Sequence, residues 1–337
     1  MKNAQGFLQG RQYRNQKKQL MPLKKNTLNL DQIKRIAIVG SGLMGHGIAQ
    51  EFATFGYNVC LVSRRKSSLK KATEDIQKNL GSLITLGVIT KEQAETVPSN
   101  ISTTTVLEEA VEDVDVVIES VYEDLELKQK VFGELDRLSP KHTILASNSS
   151  SFIPSNLTPF VKQTHRVIGT HYINPPYLIP LVEVIRGSET SDETVKTISM
   201  LLRSVGKQPI VQRETPGFVA GRLQAALLRE ALWLVENDIA HPQDIDNVIK
   251  TSLGRRWAAA GIFEILEIAG WDLLLIIASS LFPHLGSSPK APEILKKKVA
   301  LGELGLKTGK GFYDWTPESA KELKQRITNA LAIINQW

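Results

Sequence analysis

The sequence predicts an α/β chain: a doubly wound, mostly parallel sheet followed by an all-helical C-terminal domain. Three observations predict it. Short β-rich runs alternate with helical patterns as far as residue 213, a glycine loop closes the first of those runs, and only helical patterns follow residue 217.

The first run, Arg35-Ile-Ala-Ile-Val-Gly40, is apolar, β-branched and ends in glycine. A helical pattern follows from residue 44 to about 55. The second run is Asn58-Val-Cys-Leu-Val62, with a helix from about 68 to 86. Further strands are read at 115–118, 143–146, 166–169, 181–185 and 209–212, most of them separated by helical patterns, which implies a parallel sheet with helices on both faces. Thr215-Pro-Gly-Phe218 opens a long helix, 219–237. Helical patterns continue at 243–253, 262–281, 291–302 and 317–336. The expected organisation is a tail at 1–33, the sheet domain at 34–213, a helical domain at 214–316 and a helical extension at 317–337.

The net charge of +6 overstates how basic the folded part is. Of 41 Lys and Arg, seven lie in residues 1–30, where there is no acid, which leaves 34 cations against 35 acids. A body this neutral lacks the basic face of a nucleic-acid-binding domain. Residues 1–33 read as a disordered extension; Met21 offers a second start, and the tail is too poor in Ser for a good transit peptide. No apolar run approaches the roughly 18 residues a membrane span needs. The single cysteine, Cys60, permits no intramolecular disulfide, which leads us to expect a reducing compartment, the cytoplasm.

Gly40-Ser-Gly42-Leu43-Met44-Gly45 sits between a strand and a helix, the context that makes this spacing a Rossmann-type dinucleotide-binding loop. Gly40 makes the tight turn, Gly42 lets backbone approach a pyrophosphate, and Gly45 lets helix and strand pack closely. The helix N-terminus supplies free N–H groups to the phosphates. Where an NAD site usually has an acid at the end of the second strand, this chain has Ser63-Arg64-Arg65. A hydroxyl and two guanidinium groups suit a 2′-phosphate, so NADP is favoured over NAD.

Oxidation of a hydroxyl by such a cofactor needs a base, and imidazole suits the task near neutral pH. His171 stands in Thr170-His171-Tyr-Ile-Asn174-Pro-Pro, and Glu183 follows on the next strand, placed to orient its ring. Asn174 can donate to a developing oxyanion. Ser147-Asn-Ser-Ser150-Ser151 ends a strand at the sheet's carboxyl edge, where ligands bind in such folds.

In these motifs the chain resembles the L-3-hydroxyacyl-CoA dehydrogenase family from about Ile36 to Trp315. The resemblance also covers Val121-Tyr-Glu123 with Lys128, Asn148-Ser-Ser150, Thr215-Pro-Gly-Phe218 and Gly305-Leu-Lys-Thr-Gly-x-Gly-Phe-Tyr313. It implies a catalytic dyad of His171 and Glu183, with Ser150 and Asn174 on the substrate oxygen. It places Glu123 and Lys128 at the nicotinamide side, with Asn148 in the same cofactor set. It further implies a helical domain that closes over the substrate and makes a homodimer. Three departures from the pattern stand out: Gly221 replaces an Asn, Ser63 replaces the acid, and Asn79 and Leu86 stand where CoA-using relatives carry Ser and Lys. The Pro-Pro-Tyr-Leu-Ile-Pro180 loop and Arg255-Arg256-Trp257 are closer to the lambda-crystallin-like branch, which includes dehydrogenases of sugar acids and carnitine. The leading expectation is a 3-hydroxyacyl oxidoreductase acting on a CoA thioester. The alternatives are a free 3-hydroxy acid as substrate, or a dinucleotide-binding protein with little turnover. No metal site is expected.

Overall fold

The computed structural model describes residues 30–335; the basic segment up to residue 29 lies outside the described residues. Residues 30–33, expected to belong to the disordered extension, are folded: Leu30–Gln32 form a 3-10 turn and Ile33 is buried in the core.

Eight strands form one sheet: β1 (Arg35–Val39), β2 (Asn58–Val62), β3 (Ile101–Thr104), β4 (Val116–Glu119), β5 (Ile144–Ser147), β6 (Val167–Tyr172), β7 (Leu181–Arg186) and β8 (Gln208–Arg213). Their spatial order is β3-β2-β1-β4-β5-β6-β7-β8, parallel throughout except for β6 against β7. β1 therefore has its successor on one side and β4 on the other. A crevice opens at this reversal, at the strands' carboxyl ends.

Alternation along each strand builds the two cores. Ile36 and Ile38 of β1 face one layer with Val116 and Ile118 of β4, while Ala37, Val39 and Val117 face the other. The first layer is covered by α1 (Leu43–Thr54), whose Ile48, Ala49, Phe52 and Ala53 are buried, by α2 (Lys66–Thr85) and by the short α3 (Lys91–Thr96). The second is covered by α4 (Leu107–Val111) and α5 (Leu125–Leu138), the latter capped by Asp124, which accepts from the Leu127 N–H at 2.8 Å. Helix α6 (Asp192–Ser204), capped by Ser191, returns to the first layer through Ile198, Leu201 and Leu202.

The second half comprises α7 (Phe218–Glu236), α8 (Pro242–Val248), α9 (Gly254–Ala259), α10 (Ile262–Ala269), α11 (Trp271–Leu281), α12 (Glu293–Ala300) and α13 (Pro317–Ile334). Two sequence expectations are corrected here. The helix expected over 262–281 is two helices, bent by 103° at Gly270, whose φ of 85° is a left-handed value. The helix expected over 243–253 ends at Val248 and runs through a π turn, Ile249–Leu253, into α9. The sheet also holds a strand the sequence reading passed over, β3. It pairs only with β2 and is half-polar, as an edge allows. Among the described residues no single helix is long and apolar enough to cross a membrane.

Candidate active site

The crevice is a cavity of about 1100 Å³, lined along one wall by Gly40, Gly42, Leu43 and Met44 and along the other by Glu123, Lys128, Asn148 and Ser150. The glycine loop fits the closely approaching anion expected of it. Gly40 has φ of 114°, and a Cβ there would lie 2.3 Å from the Ser120 carbonyl oxygen. A Cβ on Gly42 would meet no protein atom within 4 Å, so the space it would fill belongs to the cavity and is free for a diphosphate. Gly45 stands outside the lining. Its Cβ would fall 1.8 Å from the Gly40 carbonyl oxygen, so its smallness serves the loop's own turn more than contact with β1.

At the adenosine end, Ser63 and Arg64 line the cavity as expected, but Arg65 does not; it forms the N-cap position of α2. Ser68 and Lys71, one and two turns into that helix, line the cavity instead. The sequence held the signal for them, since Ser68 and Lys71 are three positions apart near the start of α2 and so share one face of it.

Glu123 and Lys128 meet at 3.2 Å, yet a residue not singled out from sequence holds them. Glu119, fully buried at the end of β4, accepts from Lys128 Nζ at 2.7 Å, from the Val121 N–H at 2.6 Å and from the Ser147 hydroxyl at 2.7 Å. A buried carboxylate and ammonium are tolerable when paired and hydrogen-bonded in this way. Glu123 in turn accepts from the Ser149 hydroxyl and from the Ser150 and Ser151 N–H groups at 3.2 and 2.9 Å, which fixes the serine loop. Burial pushes the Glu123 carboxyl up, but the Ser149 hydroxyl, the Lys128 charge and the Ser151 N–H outweigh it and hold it below the usual range. Asn148 braces the same corner: its Oδ1 accepts from the Tyr172 N–H at 3.0 Å.

The dyad forms because β6 and β7 are antiparallel. His171 and Glu183 are directly opposed in the register, and opposed residues project from the same face. His171 Nδ1 lies 2.7 Å from Glu183 Oε2, and His171 Nε2 lies 3.0 Å from the Ser150 hydroxyl. The other carboxylate oxygen of Glu183 accepts from the Val219 and Ala220 N–H groups, at 2.9 and 2.8 Å, and from Gln212 Nε2 at 2.8 Å. The start of α7 is thus docked onto the Glu183 carboxylate. Burial works against ionisation of Glu183, but the Ala220 N–H, the His171 ring and Gln212 outweigh it and lower its pKa. The stability gained from these bonds is complete above the carboxyl's unfolded pKa and is lost as pH falls through the lower folded value. An ionised Glu183 accepts only, so Nδ1 carries the proton and Nε2 is left as the free base.

Phe218 packs on the imidazole, with ring centroids 5.4 Å apart, and does so at a positive φ of 51°. A bulky residue in that region is strained, and the fixed turn at Gly217 imposes it beside the base. Asn174 is exposed at the end of β6, three residues from His171, and is not drawn into the Ser150–His171–Glu183 chain. Gly221 lies in the first turn of α7, and a Cβ there would meet nothing within 4 Å, so close packing does not explain it. Asn79 is already engaged: it accepts from the Tyr177 hydroxyl at 3.1 Å and donates to Gln50 at 3.1 Å. Among the described residues no cluster of His, Cys, Asp and Glu could hold a metal ion.

Comparison with known proteins gives the same picture. Residues 35–215 match the family model of the 3-hydroxyacyl-CoA dehydrogenase NAD-binding domain, and residues 217–315 match that of its C-terminal domain. A 3-hydroxybutyryl-CoA dehydrogenase from Clostridioides difficile is 36% identical over 282 residues, covering 83% of this chain and 99% of the relative. The 5-formyl-3-hydroxy-2-methylpyridine 4-carboxylate 5-dehydrogenase from Mesorhizobium japonicum is 32% identical over 90% of this chain and 98% of its own. A crystal structure of a dehydrogenase acting on that pyridine carboxylate superposes with a TM-score of 0.84, at 32% identity over 90% of this chain and 98% of the other. The (S)-3-hydroxybutyryl-CoA dehydrogenase from Ralstonia eutropha superposes with a TM-score of 0.70, at 31% identity over 84% and 99%. With both halves matched by its models, residues 35–215 and 217–315, the chain belongs to the 3-hydroxyacyl-CoA dehydrogenase family.

Proposed function

We propose that the protein interconverts a 3-hydroxyacyl and a 3-oxoacyl group with a nicotinamide cofactor, the acyl group being carried as a CoA thioester. The observation that carries this reading is the Ser150–His171–Glu183 chain at the mouth of the dinucleotide cavity. When bound, the nicotinamide supplies or accepts the hydride at the carbinol carbon. In the oxidising direction His171 Nε2 takes the hydroxyl proton, and Glu183 stabilises the imidazolium so formed. In the reducing direction the same nitrogen returns the proton to the oxygen. Ser150 and Asn174 are the donors for the substrate oxygen, Ser150 already within reach of Nε2. The test is nicotinamide absorbance with acetoacetyl-CoA and either NADPH or NADH; oxidation is expected, and none with either cofactor, in protein that binds one, defeats the proposal.

A free hydroxy acid is the second reading, and Asn79 favours it. Its amide is spent on Tyr177 and Gln50, and so is not available to an acyl carrier passing over α2. Gly221→Asn discriminates. A Cβ at this position meets no protein atom within 4 Å, and a restored donor is worth about 1–3 kcal/mol if substrate uses it. We expect kcat/KM for acetoacetyl-CoA to rise; a fall points to the free acid.

NADP is the preferred cofactor in this reading, on the strength of Ser63, Arg64, Ser68 and Lys71 around the adenosine end. Arg64→Ala is expected to weaken NADPH binding by about tenfold or more, the loss of one charge-assisted contact, and to leave NADH almost unchanged. Equal losses in a binding titration defeat the 2′-phosphate assignment.

We further propose that the protein works as a homodimer through its helical half. Apolar residues of α10 and α11 stand in water in the single chain, Phe263 at 70% exposure, Ile268 at 87% and Leu275 at 69%. A patch of this kind marks an interface. Sedimentation should show a two-chain particle; a monomer at micromolar concentration rules this out.

A further inference from the structure

The loop after β6 carries Asn174 and then turns through Pro175 to Pro180, and four of the six backbone oxygens from 175 to 180 accept from a side chain or N–H outside the loop. Lys207 Nζ donates to the Pro176 carbonyl at 2.5 Å and to the Ile179 carbonyl at 2.9 Å. Asn335 Nδ2 donates to the Leu178 carbonyl at 2.6 Å, and the Gln208 N–H to the Pro180 carbonyl at 2.8 Å. The third N–H of Lys207 goes to Glu51 Oε1, at 2.5 Å. Both partners are sealed from water, Lys207 at 6% exposure and Glu51 at 6%.

Glu51 is on α1, one turn beyond Gly47, on the same face. A Cβ at Gly47 would lie 2.6 Å from Pro176 Cγ, so the helix and the loop are in direct contact there. The carboxylate, the ammonium and the proline thus form one cluster beneath the segment that leads back to Asn174 and His171. The arrangement is costly. Glu51 Oε2 and the Tyr172 hydroxyl are buried without a hydrogen-bond partner. Burial outweighs the Lys207 charge and drives the Glu51 carboxyl up to about 7. Lys207 and Tyr172 are the titratable groups that the structure sets against it. A well-packed apolar pair would fold as well or better. What such a pair would not supply is three directed donors under an irregular loop.

We propose that Glu51 and Lys207 are positioning residues for the reaction: the buried pair clamps the 175–180 loop to α1 and so sets where Asn174 meets the substrate oxygen. The kinetic part rests on the reading of Asn174 given above; the structural part does not. Glu51 orients the ammonium, and Lys207 holds the loop carbonyls. Neither touches the cavity that receives the dinucleotide.

The experiment compares Glu51→Gln, Lys207→Met, Lys207→Arg and the double variant E51L/K207M with the unaltered full chain. The double variant removes both buried charges and is expected to keep a wild-type melting temperature. In it, hydrogen–deuterium exchange of the Leu178 and Ile179 amides, which bond the Pro175 carbonyl, should quicken about tenfold or more, while the 40–46 loop exchanges as before. With NADPH and acetoacetyl-CoA, kcat/KM should fall about tenfold or more at unchanged NADPH affinity. Lys207→Arg, which keeps donors for the loop, should recover most of what Lys207→Met loses, and Glu51→Gln should fall between. Wild-type exchange and wild-type kcat/KM in the double variant overturn the proposal. So does faster exchange spread evenly over the sheet domain, which would make the pair a general stabiliser. If the unaltered protein does not turn over acetoacetyl-CoA, the functional reading fails, and the exchange data alone decide the clamp.

Discussion

Replacing His171 by alanine should lower kcat by at least two orders of magnitude while leaving dinucleotide affinity intact. The expectation follows from where the ring sits. Nε2 faces the Ser150 hydroxyl at 3.0 Å, and no other imidazole stands at that point. The histidine that lines the dinucleotide cavity, His46, has its Nδ1 on the Gly42 carbonyl at 2.8 Å and belongs to the glycine loop. The dinucleotide cavity is lined without any atom of His171, so binding and chemistry separate cleanly in this variant. A stopped-flow comparison of cofactor binding with steady-state turnover reads both. A kcat unchanged in the variant would remove His171 as the base and, with it, the mechanism.

Glu183→Gln is expected to do nearly as much damage to the rate, and to harm the fold as well. The carboxylate receives four donors, from His171, Val219, Ala220 and Gln212. An amide has one oxygen and must turn its NH₂ toward some of those donors. If it faces the ring, His171 takes the wrong tautomer and Nε2 no longer accepts a proton. If it faces α7, two backbone N–H groups lose their acceptor. The first outcome costs about 10² to 10⁴ in kcat; the second costs about 1–3 kcal/mol for each buried donor left unpaired. The second orientation also slows the reaction, since a neutral amide oxygen no longer stabilises the imidazolium, and it is the one that gives a fall in kcat together with a lower melting temperature. A variant with wild-type turnover would show that the carboxylate orients α7 alone. Because the Glu183 carboxyl is held below its ordinary value, the wild-type protein should keep this contribution at neutral pH and lose it only on strong acidification, a dependence the Gln variant lacks.

Much of the fold was legible because its signals are local. Alternating apolar residues in Ile36–Val39 put two side chains on each face, and the glycine spacing after them serves only a turn between strand and helix. What escaped was decided by backbone geometry or by partners far along the chain. The apolar pattern runs straight through Gly270, and the break there comes from a left-handed φ that periodicity does not record. β3 is short and half-polar, and only its pairing with β2 makes it a strand. Glu119 lies one residue past the strand read at 115–118; its task appears once Lys128 and Ser147 converge on it. Arg64 and Arg65 are neighbours in sequence, but only Arg64 lines the cavity, because Arg65 takes the extended N-cap position of α2.

The sequence by itself determined the class of fold, the dinucleotide loop and the residue types of the site, since each depends on spacing within a few residues. The tertiary structure alone decided which of these residues meet. His171 and Glu183 are twelve residues apart, and a slip of one position in the β6–β7 register would send Glu183 to the opposite face of the sheet. The clamp on the Asn174 loop joins residues 51, 176 and 207 for the same reason: burial and hydrogen-bond satisfaction act on distances in space, and the chain order carries no record of them.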